Sequence, residues 1–207
     1  MEWAEQRRRM VEKQLRARGI RDERVLAAMR EIPREEFVPS PYRGASYADD
    51  PVPIGHDQTI SQPYMVALMA QCLELTGAET VLEVGAGCGY HAAVLAALAG
   101  RVITLELIPE LAEMARKSLE KTGYAANITV ICGDGAKGWP ECAPYAAISV
   151  AAATSEVPPA LLEQLQEGGR MVIPVGGGWE QELRVIRKLA GEITWRIATW
   201  CRFVPLR

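Results

Sequence analysis

The sequence predicts an α/β fold with a doubly wound, mostly parallel sheet and helices on both of its faces. From residue 80 onward, short apolar runs alternate with helix-forming stretches, a pattern typical of parallel strands joined by helices. A glycine-rich turn at 85–89 links the first apolar run to a helix. The chain has 207 residues and a hydrophobic fraction of 49%, which fits one domain with an ample core.

Two helices are expected at the start of the chain. An amphipathic pattern over 2–18 predicts the first, and Gly19 is placed to end it. Asp22 can cap the second helix, which Pro33 ends. We therefore treat 1–60 as N-terminal helices and a loop in front of the core at 61–207, within a single domain over 1–207.

A long loop is expected between these helices and the core. Prolines and glycines recur over 37–59, which indicates an ordered loop running over the domain rather than a helix. A loop of this length inside a compact chain is usually functional. After it, Ser61 is expected to cap a helix over 63–75.

The remaining elements continue the alternation and end in an antiparallel pair. We predict strands over 81–84, 101–106, 128–132, 146–151 and 170–174, and helices over 91–99, 109–122 and 158–166. The segments 182–189 and 193–204 should form a final antiparallel pair around the Ala190-Gly191 turn. We expect Trp195, Trp200 and Phe203 to pack against the domain.

The glycine turn has the spacing G-x-G-x-G, with Glu83 two residues before its first glycine. A dinucleotide fingerprint reads G-x-G-x-x-G, whereas this variant resembles motif I of the S-adenosylmethionine-dependent methyltransferases. Glu106 ends the next strand, where an acid can accept both hydroxyls of a ribose. The negative charges of Glu83 and Glu106 favour a cofactor that carries a positive sulfonium over one that carries a negative pyrophosphate. A purely structural β-α turn is the alternative.

A second glycine-containing turn, Gly133-Asp134-Gly135, follows the third core strand. Ligands of such sheets bind at the carboxyl ends of the strands, so Asp134 is placed to meet an adenine amino group. Its alternative role is that of an ordinary turn residue.

Composition excludes several classes of protein. The net charge is −3, and acids are interleaved with the N-terminal arginines, so we favour a solvated helix face over a nucleic-acid arm. Five cysteines without a C-x-x-C pair indicate reduced, mostly buried thiols, and with only His56 and His91 we expect no metal site. The charged N-terminus and the lack of an apolar run near roughly 20 residues predict a cytoplasmic protein without a membrane partner.

The turn after the fourth strand limits which chemical group can accept the methyl group. Residues 151–155 read AAATS, which is not the [D/N/S]-P-P-[Y/F/W] turn of planar-amine methylation, and no Pro-Cys nucleophile or carboxylate cluster is present. No strong base is evident, since His91 is expected to be structural and the role of His56 stays open. Such a site suits a carboxylate, which is already ionised at pH 7 and only needs to be oriented.

Several stretches closely resemble the protein-L-isoaspartate O-methyltransferase family. They are MVEKQLRARGIRDERVLAAM (10–29), FVP (37–39), PIGHDQTISQPYMVALM (53–69), VLEVGAGCGYHAAVLA (81–96), GDG-x4-WP (133–140), LLEQLQEGGRMVIPVGGG (161–178) and RFVPL (202–206). The resemblance implies a Rossmann-like class I methyltransferase. It would methylate the α-carboxylate of L-isoaspartyl residues in damaged proteins and release S-adenosyl-L-homocysteine. It also implies a monomer.

The resemblance assigns residue roles. Ser61 would be the active-site serine that positions the substrate carboxylate. The cofactor would contact Gln58, Thr59, Ile60, Glu83, Gly85, Gly87, Gly89, Glu106, Asp134 and Gly135. The peptide groove would be lined by Ile54, Gly55, Ser61, Phe203 and Val204, from the 53–61 loop and a strand at 202–206.

The chain also departs from the family pattern. Ala146 stands where the family usually has an aspartate, and Ala151 and Ser155 replace a threonine and a proline. If the aspartate only shapes the pocket, activity survives, whereas if it contacts the substrate, specificity has changed. The competing hypotheses are a carboxyl methyltransferase for another peptide, an S-adenosylmethionine-binding protein without isoaspartyl activity, and an RNA-binding module.

Overall fold

The computed structural model describes residues 2–178 and 180–207. Its N-terminal part begins with α1 (Trp3–Met10), which continues through a π-helical turn (Val11–Leu15) and a 3₁₀ turn (Arg16–Arg18). Gly19 follows with φ of 95°, so the predicted end of this helix is confirmed. Helix α2 (Glu23–Glu31) begins at Asp22, whose side chain accepts hydrogen bonds from the main-chain N–H groups of Arg24 and Val25.

The segment that follows α2, which includes the predicted loop at 37–59, contains regular structure that the sequence analysis missed. Two 3₁₀ turns, Arg34–Glu36 and Ser40–Ala45, lead to an antiparallel hairpin of β1 (Val52–Gly55) and β2 (Gln58–Ile60). Helix α3 (Pro63–Cys72) follows. Its N-cap residue is Gln62, so the predicted capping role of Ser61 is wrong and Ser61 lies between hairpin and helix.

The core is one seven-stranded sheet in the order β5-β4-β3-β6-β7-β8-β9. Its strands are β3 (Thr80–Val84), β4 (Arg101–Glu106), β5 (Ile128–Cys132), β6 (Tyr145–Val150), β7 (Leu165–Gly177), β8 (Glu180–Leu189) and β9 (Glu192–Cys201). The connecting helices are α4 (Tyr90–Ala96), α5 (Pro109–Thr122) and α6 (Pro159–Gln164). Strands β3 to β7 pair in parallel, and β7, β8 and β9 pair antiparallel, so the predicted fold class is confirmed.

The two faces of the sheet bury different sets of side chains, because successive strand residues point to opposite faces. On β3, Val81 packs with the N-terminal helices and α4, whereas Leu82 and Val84 pack on the face that carries Leu161 of α6. The whole N-terminal part therefore covers one face. It thereby brings the β1–β2 hairpin to the edge where the parallel strands end.

Two expectations about burial are wrong, one for the tryptophans and one for the cysteines. Trp195 and Trp200 are 53% and 63% exposed on the edge strand β9, and only Phe203 of the expected trio packs against the core. Of the five cysteines, only Cys72 and Cys88 are buried. Within the described residues, no helix is both long and apolar enough to cross a membrane.

Candidate active site

A cavity that is partly open to solvent lies at the carboxyl ends of β3 and β4. The chain runs from β3 outward to β4 and β5 and then returns to β6 on the other side of β3. This reversal opens a crevice outside the ends of β3 and β6, which is where open α/β sheets bind ligands. We call it the cofactor cavity, since its position at the reversal of strand order suits a small bound molecule.

The glycine turn at 85–89 lines this cavity and leads into α4. Gly85 and Gly89 have φ of 94° and 89°, a backbone conformation that glycine adopts without strain. A Cβ on Gly89 would come within 3.3 Å of the Ala115 backbone, so this glycine also lets α4 lie against α5. Gly85 and Gly87 line the cavity, whereas Gly89 shapes it from behind.

Glu106 lies in the cavity wall and holds the turn in place. Its Oε2 accepts a hydrogen bond of 2.8 Å from the Gly87 N–H, and its Oε1 accepts one of 3.0 Å from the Ile108 N–H. The side chain is largely buried. A carboxylate can accept about four hydrogen bonds, so both oxygens retain capacity for a ligand hydroxyl. The ribose-binding role expected of Glu106 stays a prediction.

Glu83 lies one layer deeper and has no accessible surface. It accepts a hydrogen bond from the Thr104 hydroxyl, and its Oε1 lies 3.5 Å from Nδ1 of His91. Burial raises the pKa of the Glu83 carboxyl to about 8. The hydrogen bond from Thr104 lowers this pKa, and the charge of Glu106 raises it by a smaller amount. Because burial favours the protonated form of this carboxyl, it weakens the charge that Glu83 was expected to offer the cofactor, and that contribution stays a prediction.

The β1–β2 hairpin closes the other side of the cavity. Ile54 and four consecutive residues at its far end line the wall, namely Gln58, Thr59, Ile60 and Ser61. The hairpin turns at His56 and Asp57, whose φ values of 52° and 57° place both in the left-handed region. His56 is exposed at this turn, and it is not among the residues that line the cavity.

A second depression, which we call the side groove, opens next to the cofactor cavity. The two share the residues Thr59, Ser61, Ala151, Val204 and Pro205. The groove also includes Arg18, which stacks 3.6 Å from the ring centre of Tyr64 and pairs with Asp49 at 2.7 Å. Trp200 and Phe203 line it from the end of β9. Ser61 thus stands where a small cavity and a longer open groove meet.

The C-terminal residues reach this junction as an extended tail, and not as the strand expected over 202–206. Strand β9 ends at Cys201. The Gln181 side chain then accepts from the Phe203 N–H at 2.6 Å and donates to the Phe203 carbonyl at 3.1 Å. The Ala153 N–H donates to the Val204 carbonyl, and the Leu206 N–H donates to the Ala153 carbonyl, both at 2.8 Å. Val204 consequently lines both depressions.

The other residues singled out from the sequence divide between the cavity and its surroundings. Gly135 lines the cavity, and a Cβ there would come within 2.3 Å of Cγ1 of Val84. Asp134 caps the short turn after β5, where it accepts from the Ala136 N–H and pairs with Lys137 at 3.1 Å. Asp134 and Gly55 are not among the residues that line either depression. Asp134 thus has a role in the turn, and its expected contact with an adenine amino group stays a prediction.

The two alanines that depart from the family pattern lie at opposite ends of β6. Ala146 is near its amino end, away from the ligand edge, and is not part of either lining. Ala151 directly follows the strand and lines both depressions. A change at 151 therefore bears on the site, whereas the change at 146 does so only through the fold.

The cavity also contains residues that the sequence did not reveal. Cys88, Tyr90, Leu107 and His91 line it, although the sequence analysis gave none of them a role in binding. Burial raises the pKa of Cys88 to about 11 and that of Tyr90 to about 12, and it lowers the pKa of His91 to about 4. Cys88 and Tyr90 therefore keep their protons at pH 7, and the neutral His91 imidazole is only a weak base, so none of the three is a ready base for an alcohol or thiol.

Known proteins match this arrangement over nearly its full length. The family model for protein-L-isoaspartate(D-aspartate) O-methyltransferase (PCMT) matches residues 5–207. A Koribacter versatilis protein-L-isoaspartate O-methyltransferase is 56% identical over 200 residues, which cover 97% of this chain and 90% of that protein. Its Hyperthermus butylicus counterpart is 51% identical over 217 residues, covering 99% and 90%.

Solved structures agree with the sequence matches. A protein-L-isoaspartate O-methyltransferase superposes with a TM-score of 0.86 at 31% identity, covering 96% of this chain but 65% of that longer one. A Plasmodium falciparum beta-aspartate methyltransferase (PCMT) in complex with S-adenosyl-L-homocysteine superposes with a TM-score of 0.82 at 27% identity, covering 97% and 98%. The predicted family, fold, enzyme class and cofactor are therefore confirmed, and the chain belongs to the protein-L-isoaspartate(D-aspartate) O-methyltransferase family.

Proposed function

We propose that this chain transfers the methyl group of S-adenosylmethionine to the α-carboxylate of L-isoaspartyl residues in damaged proteins and peptides. Family membership supports the reaction. The structural observation that carries it is the meeting of the cofactor cavity and the side groove at Ser61. A cofactor on one side and a peptide on the other can approach each other only where two such depressions join.

The cavity fits the cofactor. Gly85 and Gly87 leave space at the turn, and a Cβ on Gly87 would come within 3.2 Å of Ile54 Cδ1. Glu106 offers carboxylate oxygens for the ribose hydroxyls, and Gly135 opens the wall beside Val84. Gln58, Thr59 and Ile60 close over the far side. When bound, S-adenosylmethionine supplies an activated methyl group and leaves as S-adenosyl-L-homocysteine.

The chain has to orient the acceptor oxygen and does not have to deprotonate it. A carboxylate has a pKa of about 4 and is ionised at neutral pH, so it is already a nucleophile. The neutral side chains of Cys88, Tyr90 and His91 fit such an acceptor, since an alcohol or thiol would require a base. Rate enhancement then comes from proximity and orientation, together with the exclusion of water.

Ser61 is the residue proposed to hold the acceptor carboxylate. It lies in the lining of both depressions, so its hydroxyl can donate to a carboxylate that enters from the groove. Phe203 and Val204 would contact the flanking peptide, with Val204 at the junction itself. Ile54 lies on the cofactor side of the hairpin, so its contribution to peptide binding would be through the position of β2.

We also propose a cytoplasmic monomer without a nucleic-acid or membrane partner. Arginines of the N-terminal region pair with acids, as in Arg8–Glu5 at 2.6 Å and Arg16–Glu23 at 2.6 Å, so their charge is locally balanced. If two copies of the chain did associate, the exposed apolar side chains of β9, such as Trp195, would be the expected contact surface. Light scattering in solution tests the monomer, and RNA titration at low and high salt tests the absence of a nucleic-acid partner.

The reaction type can be tested by the chemistry of its product. The enzyme is incubated with methyl-labelled S-adenosylmethionine and a peptide that contains one isoaspartyl residue. A carboxyl methyl ester releases its label as volatile methanol in mild base, whereas methylated amines retain it. Label that is stable to base, or no label on the peptide, would contradict carboxyl methylation.

A further inference from the structure

Arg34 is wholly buried, with 0% of its surface exposed, in the 3₁₀ turn that follows α2. Its Nε donates a 2.7 Å hydrogen bond to the Ser46 carbonyl, and its Nη2 donates a 2.7 Å hydrogen bond to the Ser61 carbonyl. The guanidinium carbon lies 4.8 Å from the ring centre of Tyr90. Arg34 thus connects three segments, one of which is the junction between cofactor cavity and side groove.

The charge of Arg34 has no carboxylate partner among the described residues. The two adjacent acids are engaged elsewhere, Glu35 with Arg7 and Tyr47, and Glu36 with Lys121. The Arg34 Nη1 is buried and makes no hydrogen bond. The Ser46 and Ser61 carbonyls and the Tyr90 ring offset part of its desolvation, but burying a cation without a carboxylate still costs free energy. This cost points to a role in the reaction.

The position of Ser61 explains what that role is. Ser61 follows the last residue of β2 and precedes the N-cap residue of α3, so neither regular element fixes it. Its carbonyl is instead held by Arg34. We propose that Arg34 is a positioning residue that holds Ser61 at the junction of the cofactor cavity and the side groove. This inference rests on the proposed function, in which Ser61 contacts the substrate carboxylate.

The sign of the charge fits the same role. Arg34 stands behind Ser61, and a positive charge there favours an anion on the open side of the serine. The acceptor in the proposed reaction is an anion. Lysine at position 34 would keep the charge but could not bridge Ser46 and Ser61 with the same planar fork. Methionine would keep much of the volume and lose both the charge and the hydrogen bonds.

Arg24 provides a control for the loss of main-chain hydrogen bonds, although it is exposed whereas Arg34 is buried. Its guanidinium also donates to main-chain carbonyls of two segments, to Leu75 at 2.7 Å and to Leu98 at 2.9 Å. Arg24 is not among the residues that line either depression. Arg24→Met therefore removes a similar pair of hydrogen bonds without touching Ser61.

The experiment compares the wild type with Arg34→Met, Arg34→Lys and Arg24→Met. For each protein we would measure kcat and KM with an isoaspartyl peptide, the Kd of S-adenosyl-L-homocysteine by calorimetry, and Tm. We expect Arg34→Met to lower kcat/KM for the peptide at least about tenfold and to change the Kd by less than about twofold. Arg34→Lys should lie between that variant and the wild type, and Arg24→Met should keep wild-type kinetics.

Several results would overturn the inference. One is a folded Arg34→Met enzyme with wild-type kcat/KM, and another is a loss of S-adenosyl-L-homocysteine affinity as large as the loss of kcat/KM. An equal kinetic loss in Arg24→Met would also show a merely structural role. If Arg34→Met does not fold, the kcat/KM and the S-adenosyl-L-homocysteine Kd of Arg34→Lys are judged by the same criteria. A wild-type enzyme inactive on the isoaspartyl peptide would instead refute the proposed function, and the role of Arg34 would fall with it.

Discussion

Replacing Glu83 by glutamine should stabilise the protein at pH 8 and have little effect near pH 4.5. The Glu83 carboxyl is wholly buried, and burial raises its pKa from the ordinary 4.5 to about 8. Glutamine has nearly the same shape and can still accept the hydrogen bond from the Thr104 hydroxyl. It needs no proton to remain neutral, so the variant removes the pH dependence and keeps most of the contacts.

The magnitude follows from proton linkage. Between pH 4.5 and about 8, the unfolded Glu83 carboxyl has lost its proton and the native one has kept it. The native state binds more protons in this range, so its stability falls as the pH rises, by about 1.4 kcal/mol per pH unit. Across the range, the loss amounts to roughly 5 kcal/mol, and the advantage of Glu83→Gln grows along the same slope.

His91 contributes with the opposite sign. Burial lowers its pKa from 6.5 to about 4, so the native state binds fewer protons there and stability falls as the pH drops below 6.5. Between pH 4.5 and 6.5 the slopes of Glu83 and His91 cancel. Between pH 6.5 and about 8, only the Glu83 slope remains, and it lowers wild-type stability by about 2 kcal/mol.

Urea unfolding followed by circular dichroism at about pH 5, 6.5 and 8 measures these differences directly. Glu79→Gln is the contrasting control. Burial opposes ionisation of Glu79, but hydrogen bonds from Thr76 and Gly77 lower its pKa to about 2, so that variant should be less stable at all three pH values. If Glu83→Gln is destabilised by the same amount at every pH, the native Glu83 is ionised and the reasoning is wrong.

Three further predictions concern the site itself. Glu106→Ala removes the proposed ribose acceptor and should weaken S-adenosyl-L-homocysteine binding at least about tenfold by calorimetry, and an unchanged Kd would refute that assignment. Ser61→Ala should lower kcat/KM for an isoaspartyl peptide and leave the S-adenosyl-L-homocysteine Kd unchanged, and wild-type turnover would remove Ser61 from the chemistry. Gly135→Ala would place its Cβ 2.3 Å from Val84 Cγ1, so it should lower the free energy of unfolding by about 1–3 kcal/mol. Adding Val84→Ala to this variant should restore part of that free energy, as measured by urea unfolding.

The parts of the site that depend on local sequence could be predicted. The alternating glycines at 85–89 and Glu106 at the end of a strand place their backbones by rules that act over a few residues, and both line the cavity or hold it. The fold class followed for the same reason, since strand and helix periods alternate along the chain. The end of β9 and the path of 202–206 were missed, because the side chain of Gln181 determines them.

The parts of the site that the sequence did not predict depend on contacts between segments that are distant along the chain. The β1–β2 hairpin turns on His56 and Asp57, which are not glycine, in a stretch whose prolines indicate a loop. Glu83 has the motif position of a cofactor ligand, and only the packing around it shows that its carboxyl is buried, which raises its pKa. Arg34 is one arginine among many in the sequence, and only the fold shows that it alone reaches the Ser61 carbonyl among the described hydrogen bonds.

The central claim is that the acceptor is an isoaspartyl carboxylate. The most direct measurement is methyl transfer from labelled S-adenosylmethionine to two peptides of identical composition, one with an isoaspartyl linkage and one with a normal aspartyl linkage. We predict transfer to the isoaspartyl peptide alone. Equal transfer to both peptides would contradict the account, and so would transfer to neither by an enzyme that still binds S-adenosyl-L-homocysteine.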